Sequence, residues 1–189
     1  MVHPISPLKI LPCSISIETV YNILNSFTLI NTSDTLSSKI GSWVISTRKN
    51  LSYNICRNNM IFLEILRDAL AAMGSFEDFP SFLAYLSSKD PYELLQQMLL
   101  HLLQKDTDFV MDSHYAKSLG EILHDFNSYF RFMEQINQIC SVDIDIHREV
   151  YALFKNPSKL KETLLSHLEY MWKVVIAAEW KRSEKILQQ

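Results

Sequence analysis

Hydrophobic residues recur at intervals of three and four along most of this chain, which is the period of an amphipathic helix. Only residues 8–15 are weakly strand-like. The predicted helices span about 17–30, 33–49, 51–73, 79–86, 91–105, 113–139, 143–155 and 157–189. We therefore expect an all-α fold. It would be a single compact domain, residues 1–189, with a bundle of about seven or eight helices behind an extended lead-in of residues 1–15.

Capping residues and prolines mark where several of these helices begin. Asp90-Pro91 and Asn156-Pro157 each combine an N-cap side chain with a proline in the first turn. Asp78 begins a shorter helix in a similar way. The chain contains only 3 glycines, too few for a β-sandwich or barrel with many tight turns. These signals strengthen the all-helical prediction.

The final stretch, residues 164–189, holds two of the three tryptophans and contains no Gly or Pro. We predict that it belongs to one long amphipathic helix, residues 157–189, which packs on the helical core. No helix-stop signal follows it. The helix is therefore expected to lead toward a C-terminal domain that is missing from this chain.

Trp172 and Glu179 are the first candidates for a ligand site. Seven residues separate them, so an α-helix turns roughly 700° between them and places both on one face. One interpretation is a pocket with an aromatic wall and one carboxylate, suited to an organic cation. The other, which we favour, puts Trp172 in the core and pairs Glu179 with Arg182 on the surface. Trp180 lies about 80° round from Trp172 and is expected to meet a different neighbour or a partner surface.

Composition and charge exclude several classes of protein. Hydrophobic residues make up 48% of the chain and charged residues 21%, which suits a soluble domain with a real core. The net charge of −3 offers no basic surface of the kind that DNA-binding domains usually carry. Cys13, Cys56 and Cys140 are widely spaced, as in proteins of a reducing compartment. No signal peptide or membrane-length apolar run is visible, so we expect a cytoplasmic protein without a membrane partner.

No catalytic or cofactor-binding motif is recognisable in the sequence. Gly-rich phosphate loops, the nucleophile elbow and zinc-ligand spacings are all missing. The six histidines are dispersed, and only His114, His124 and Asp125 could form a metal or acid–base cluster, although nothing in their spacing brings them together. We expect no catalytic residues, no metal and no cofactor. A small helical metal-dependent or acid–base enzyme is kept as an alternative hypothesis.

Residues 118–136 have the outline of a helix-turn-helix motif. Their second half offers only one basic residue, Arg131, whereas a recognition helix needs several phosphate and base contacts. The apolar period also continues through residues 125–127. We therefore predict one continuous core helix here.

Residues 151–182 resemble part of a family of bacterial regulators in which a helical N-terminal region precedes an ArsR-type winged helix. The family pattern reads L-x-D-P … L … Y-W … A-P-x-W. Here it is carried by Leu153, Pro157, Leu160, Leu164, Leu168, Trp172, Glu179 and Trp180. Residues 41–44, which contain Trp43, are similar to a second family element, H-P-W-V, and residues 15–29 resemble its opening helix. Ala178 departs from the pattern because it replaces a proline, Gly41 departs from the second element, and the winged helix itself is absent from this chain.

The resemblance implies transcription regulation, dimers and a bacterial cytosol. Our leading hypothesis is a non-catalytic regulatory domain, for effector sensing, dimerisation or both, whose DNA-binding winged helix lies outside this chain. The expected partners are a second copy in a homodimer, a small-molecule effector, and DNA only through the absent domain. The candidate ligand-pocket residues are Trp172, Glu179, Trp180 and Trp43. A helical protein–protein adaptor is the remaining alternative.

Overall fold

The computed structural model describes residues 18–32, 41–104, 119–136 and 143–187, and every regular element within these ranges is helical. The all-α prediction is confirmed for this part of the chain, whereas the extended lead-in predicted for residues 1–15 lies outside it. The elements are α1 (Thr19–Thr32), α2 (Ser42–Asn50), α3 (Tyr53–Asn59), π1 (Met60–Glu64), α4 (Arg67–Ala71), α5 (Phe79–Ser88), α6 (Pro91–Gln104), α7 (Leu119–Ile122), α8 (Phe126–Gln135), α9 (Ile144–Phe154), α10 (Pro157–Tyr170), π2 (Met171–Ile176) and α11 (Ala177–Leu187).

The predicted helix 51–73 is not one regular helix. α3 passes directly into the π-helical segment π1, and a turn at Ile65 and Leu66 precedes α4. The side chains of Ile61, Phe62 and Leu63 are all buried. Successive residues of an α-helix point about 100° apart, so three consecutive buried side chains require neighbours on most sides of the segment. A hydrophobic period cannot reveal a π-helical bulge inside such a run.

The continuous helix predicted for residues 113–139 is wrong in its central part. α7 ends at Ile122, and α8 begins only at Phe126. The side chain of Asp125 accepts a hydrogen bond from the backbone N–H of Ser128 at 2.7 Å, which makes Asp125 the N-cap of α8. Aspartate favours this position because its carboxylate satisfies a free backbone N–H of the first turn. The cap therefore overrides an apolar period that runs across the break.

The predicted helix starts at Asp78, Asp90 and Asn156 are confirmed by their hydrogen bonds. The Asp78 carboxylate accepts from the backbone N–H of Ser81 at 2.7 Å, and Asp90 accepts from the backbone N–H groups that follow it. The side-chain oxygen of Asn156 accepts from the backbone N–H of Lys159 at 3.2 Å. Local chemistry thus fixes where α5, α6 and α10 begin.

α10 holds a central place in the packing, because it contacts α5, α6 and α9. Its buried face comprises Leu160, Leu164 and Leu168, and this face continues into Met171 and Ile176 of π2. The opposite side of the same helix is exposed to solvent. The last helix therefore joins the hydrophobic core to the surface on which the candidate site lies.

Candidate functional site

The last helix changes from α-helical to π-helical geometry in the region that carries Trp172. α10 runs into π2, and α11 continues from it to Leu187. At the junction the backbone N–H of Met171 donates to the carbonyl oxygen of His167. A π-helix holds more residues in each turn than an α-helix, so a seven-residue step across π2 does not return to the same face. The alignment of Trp172 with Glu179 expected for a regular α-helix thus loses its geometric basis.

Trp172 forms one wall of an open groove between α5 and the last helix. Its indole packs on the buried ring of Phe79, with the ring centroids 5.3 Å apart and an interplanar angle of 35°. The groove has a volume of about 330 Å³. The residues that line it are Pro80, Leu83, Ala84 and Ser87 from α5, and Glu169, Trp172 and Lys173 from the last helix. The α5 wall is mainly apolar, whereas the last helix supplies an aromatic ring and two opposite charges.

Glu169 is the carboxylate that the structure places in the groove with Trp172. The ammonium of Lys173 donates to Glu169 Oε2 at 2.8 Å, and both side chains are largely exposed. Glu169, Trp172 and Lys173 occupy positions i, i+3 and i+4, which share one helix face. Sequence reasoning could have found this carboxylate by looking one turn before Trp172 as well as two turns after it.

The other three residues predicted from the sequence lie elsewhere. Glu179 forms an ion pair with Arg182, and only 24% of the Glu179 side chain is exposed. Trp180 and Trp43 are partly buried and pack against the hydrophobic core. Within the described ranges, Glu179, Trp180 and Trp43 are not part of the groove lining. The structure thus brings Trp172 together with Glu169, and not with the other three candidates.

A buried polar pair, Asn59 and His167, lies close to the start of both π-helical segments. His167 Nε2 is 2.7 Å from Asn59 Oδ1, and the His167 side chain also contacts the ring of Phe62 at 5.6 Å between centroids. Because an amide oxygen only accepts, Nε2 carries the proton and Nδ1 is the bare nitrogen. Neither His167 Nδ1 nor Asn59 Nδ2 has a hydrogen-bond partner among the described residues. Burial lowers the pKa of His167 to about 4, so the imidazole is neutral at neutral pH.

A second buried pair joins Tyr129 of α8 to His147 of α9. The Tyr129 hydroxyl lies 3.2 Å from His147 Nδ1. Burial raises the pKa of the Tyr129 hydroxyl and lowers the pKa of His147. Both groups are therefore neutral at neutral pH and link two helices. No pattern in the sequence signals either buried pair, because partners 18 and 108 residues apart are joined only by the fold.

The structure describes two of the three residues on which the alternative enzyme hypothesis depends. His124 Nδ1 lies 3.1 Å from Asp125 Oδ2, and both side chains are exposed. The hydrogen bond from the Ser128 backbone, followed by the contact with His124, lowers the pKa of Asp125. His114 lies outside the described residues. Within those residues, no three His, Cys, Asp or Glu side chains group closely enough to hold a metal ion.

Comparison of the chain with protein-family models, curated proteins and solved structures gave no match. The likeness to the bacterial regulators therefore rests on residues 151–182, 41–44 and 15–29 alone. None of the described helices is long and apolar enough to cross a membrane.

Proposed function

We propose that this chain is a non-catalytic regulatory domain, which senses a small effector for a bacterial transcriptional regulator whose DNA-binding winged helix is a separate domain. The observation that carries the proposal is the groove beside Trp172. It combines an aromatic wall, an apolar wall and a carboxylate, which together suit a small organic cation. The resemblance of residues 151–182 to the helical regions of such regulators supports the transcriptional part of the proposal.

The cation would lie between the indole of Trp172 and the carboxylate of Glu169. Lys173 already pairs with this carboxylate, but exposed pairs at this spacing contribute only about 0.3–0.5 kcal/mol. A ligand that adds contact with the ring can displace the ammonium at little cost. The pair thus keeps Glu169 neutralised until a cation of suitable shape arrives.

The position of the groove provides a route from ligand to domain movement. Its walls belong to two different elements, α5 and the last helix, so an occupant braces one against the other. π2 continues directly into α11. A change in how π2 packs on α5 would therefore be passed along the helix toward Leu187, in the direction where the regulators of this type carry their winged helix.

Tetramethylammonium is expected to bind in the groove with a dissociation constant of about 1–10 mM. Titrated into isotope-labelled protein, it should shift one of the tryptophan indole N–H signals in nuclear magnetic resonance spectra. A Trp172→Phe variant, which lacks this signal, identifies it. Glu169→Gln is expected to weaken binding about fivefold, because two unit charges 4 Å apart in water interact by about 1 kcal/mol. Lys173→Gln, which removes the competing ammonium, should strengthen binding.

Glu179→Gln is the matched control for this titration, because Glu179 is a carboxylate on the same helix that pairs with Arg182 outside the groove. Its affinity for the cation should equal that of the unsubstituted protein. An equal loss in Glu169→Gln and Glu179→Gln would contradict the assignment of the site. The absence of any shift in the Trp172 signal would refute effector binding in this groove.

The chain by itself is expected to show no sequence preference for DNA at physiological salt. Its net charge is −3, and specific DNA binding needs basic side chains that contact phosphates and base edges. Selection from a pool of random duplexes measures this directly. Enrichment of a defined sequence by the 189-residue chain would show that DNA binding does not belong to a separate domain.

A further inference from the structure

The groove beside Trp172 contains charges of both signs. Glu169 and Lys173 both line it, and the Lys173 ammonium lies 2.8 Å from Glu169 Oε2. The side chain of Glu169 is 48% exposed and that of Lys173 is 66% exposed, so a ligand in the groove can reach both. Because one carboxylate faces one ammonium, the charges of the groove-lining side chains cancel.

The two walls of the groove are fixed to each other at two points. The indole of Trp172 rests on Phe79 at the start of α5. At the other end of α5, the Lys161 ammonium of α10 donates to the backbone carbonyl oxygen of Ser87 at 2.6 Å and to that of Lys89. The last carbonyls of a helix have no partner within it and carry partial negative charge, so an ammonium stabilises them. The groove is therefore held at one width, as small-molecule sites usually are.

A simple cation would upset the charge balance of this groove. It would take the place of the Lys173 ammonium at the Glu169 carboxylate and leave Lys173 without an anion among the groove-lining side chains. A ligand that carries both charges avoids this loss, because it exchanges one ion pair for two. Its cation pairs with Glu169, and its anion pairs with Lys173. The charges that line the groove therefore suit a zwitterion better than a cation.

The apolar wall of α5 favours a methylated ammonium group over a primary one. Pro80, Leu83 and Ala84 line this side of the groove, and none of their side chains can accept a hydrogen bond. A primary ammonium has three N–H donors, and a donor that faces this wall would lose water without gaining a partner. N-methyl groups make apolar contacts with the wall instead, and a quaternary ammonium group is attracted to an indole ring.

We propose that the effector of this groove is a small betaine, in which a short carbon chain joins a trimethylammonium group to a carboxylate. The trimethylammonium group lies between the indole of Trp172 and the carboxylate of Glu169. The carboxylate of the ligand lies against the ammonium of Lys173. This inference rests on the proposed effector-sensing function, and it makes Lys173 the residue that distinguishes a zwitterion from a simple cation.

The test compares trimethylglycine with its methyl ester, which has the same cation but no carboxylate. Each is titrated into isotope-labelled protein, and the indole N–H signal of Trp172 reports binding. Trimethylglycine is expected to bind about fivefold more tightly than the ester, the factor that corresponds to one added ion pair about 4 Å long in water. Glycine, which has both charges but no methyl groups, should bind about tenfold more weakly than trimethylglycine.

Lys173→Gln should change the two affinities in opposite directions. Trimethylglycine loses the partner of its carboxylate and should bind about fivefold more weakly, whereas the ester loses a competitor and should bind more tightly. Lys173→Arg keeps the charge and should retain the preference for trimethylglycine. Lys181→Gln is the matched control, because Lys181 is an exposed lysine of α11 that does not line the groove, and it should change neither affinity. Circular dichroism checks that each variant remains helical.

Three results would overturn the betaine proposal. The first is equal affinity for trimethylglycine and its ester. The second is a Lys173→Gln variant whose two affinities change in the same direction or not at all. The third is glycine that binds as tightly as trimethylglycine, which would remove the need for methyl groups. In each of these cases a ligand still binds beside Trp172, so effector binding stands. If none of the ligands shifts the Trp172 signal, effector binding in this groove fails as well.

Discussion

Lowering the pH from 7 to about 4 is expected to destabilise the folded chain by about 3 kcal/mol through His167 alone. Burial lowers the pKa of this imidazole from 6.5 to about 4. Between these pH values the unfolded chain binds a proton that the folded chain excludes. The contribution of the neutral His167 to the free energy of unfolding is therefore fully present above about pH 6.5 and is lost progressively as the pH falls toward 4. Urea unfolding at a series of pH values measures the change.

His167→Gln should flatten this pH dependence, because the amide stays neutral at every pH. His124→Gln is the control, since the His124 side chain is 78% exposed and its removal should leave the slope unchanged. His147 will retain a smaller slope of the same sign, because burial also lowers its pKa. Asp78 and Asp125, whose pKa values are lowered by hydrogen bonds, lose their contribution only at still lower pH. If the His167→Gln variant kept the full pH dependence of the free energy of unfolding, His167 would have to be hydrated in the folded chain.

The sequence was sufficient to predict the parts of the fold that depend on local chemistry. A capping side chain next to a proline restricts the backbone to a helix start, whatever the rest of the chain does. The starts of α6 at Asp90 and of α10 at Asn156 were predicted for this reason. The buried stripe of Leu160, Leu164 and Leu168 follows in the same way from helical periodicity.

The sequence was insufficient where packing from several sides decides the backbone. The side chains of Ile61, Phe62, Leu63, Ile65 and Leu66 are all buried, so this segment satisfies a helical period in more than one register. The pattern therefore could not locate π1. The error at Asp125 had a different cause. We predicted a continuous helix there because we gave the apolar period more weight than the capping preference of the Asp125 side chain.

At the candidate site, sequence reasoning named one residue of the groove and missed its acidic neighbour. Trp172 was one of the predicted pocket candidates, and it lines the groove, whereas the interpretation that we favoured placed it in the core. Its acidic partner was chosen by assuming a regular α-helix to Glu179. That assumption fails because π2 is not a regular α-helix. Glu169, which precedes π2, lines the groove together with Trp172.

The buried pair of Asn59 and His167 connects the two π-helical segments. Asn59 directly precedes π1, and the carbonyl of His167 accepts the hydrogen bond from Met171, where π2 begins. The side chains of Asn59 and His167 meet at 2.7 Å. π-helical segments are frequent at functional sites, and here the second one carries Trp172. The groove wall is therefore held in place from the inside by a polar contact in which His167 Nε2–H donates to Asn59 Oδ1.

Phe79→Ala is expected to lower the free energy of unfolding by about 3–5 kcal/mol, the usual cost of removing a buried aromatic ring. Phe79 is fully buried. Its ring contacts Phe27 of α1 at 5.9 Å, Phe82 of α5 at 5.5 Å and Trp172 of π2 at 5.3 Å between centroids. The loss thus affects three elements at once. For a chain of this size the midpoint of thermal unfolding should fall by roughly 6–20 °C.

The same substitution tests whether Phe79 supports the groove. Without the Phe79 ring, the indole of Trp172 loses the surface on which it rests, so its N–H signal should shift and tetramethylammonium should bind more weakly. Tyr92→Ala removes an aromatic ring that is 65% exposed, and it should change the stability by less than about 0.5 kcal/mol. Phe79→Leu restores most of the volume and should recover part of the stability. If Phe79→Ala unfolds no more easily than Tyr92→Ala, Phe79 does not join α1, α5 and π2 as described.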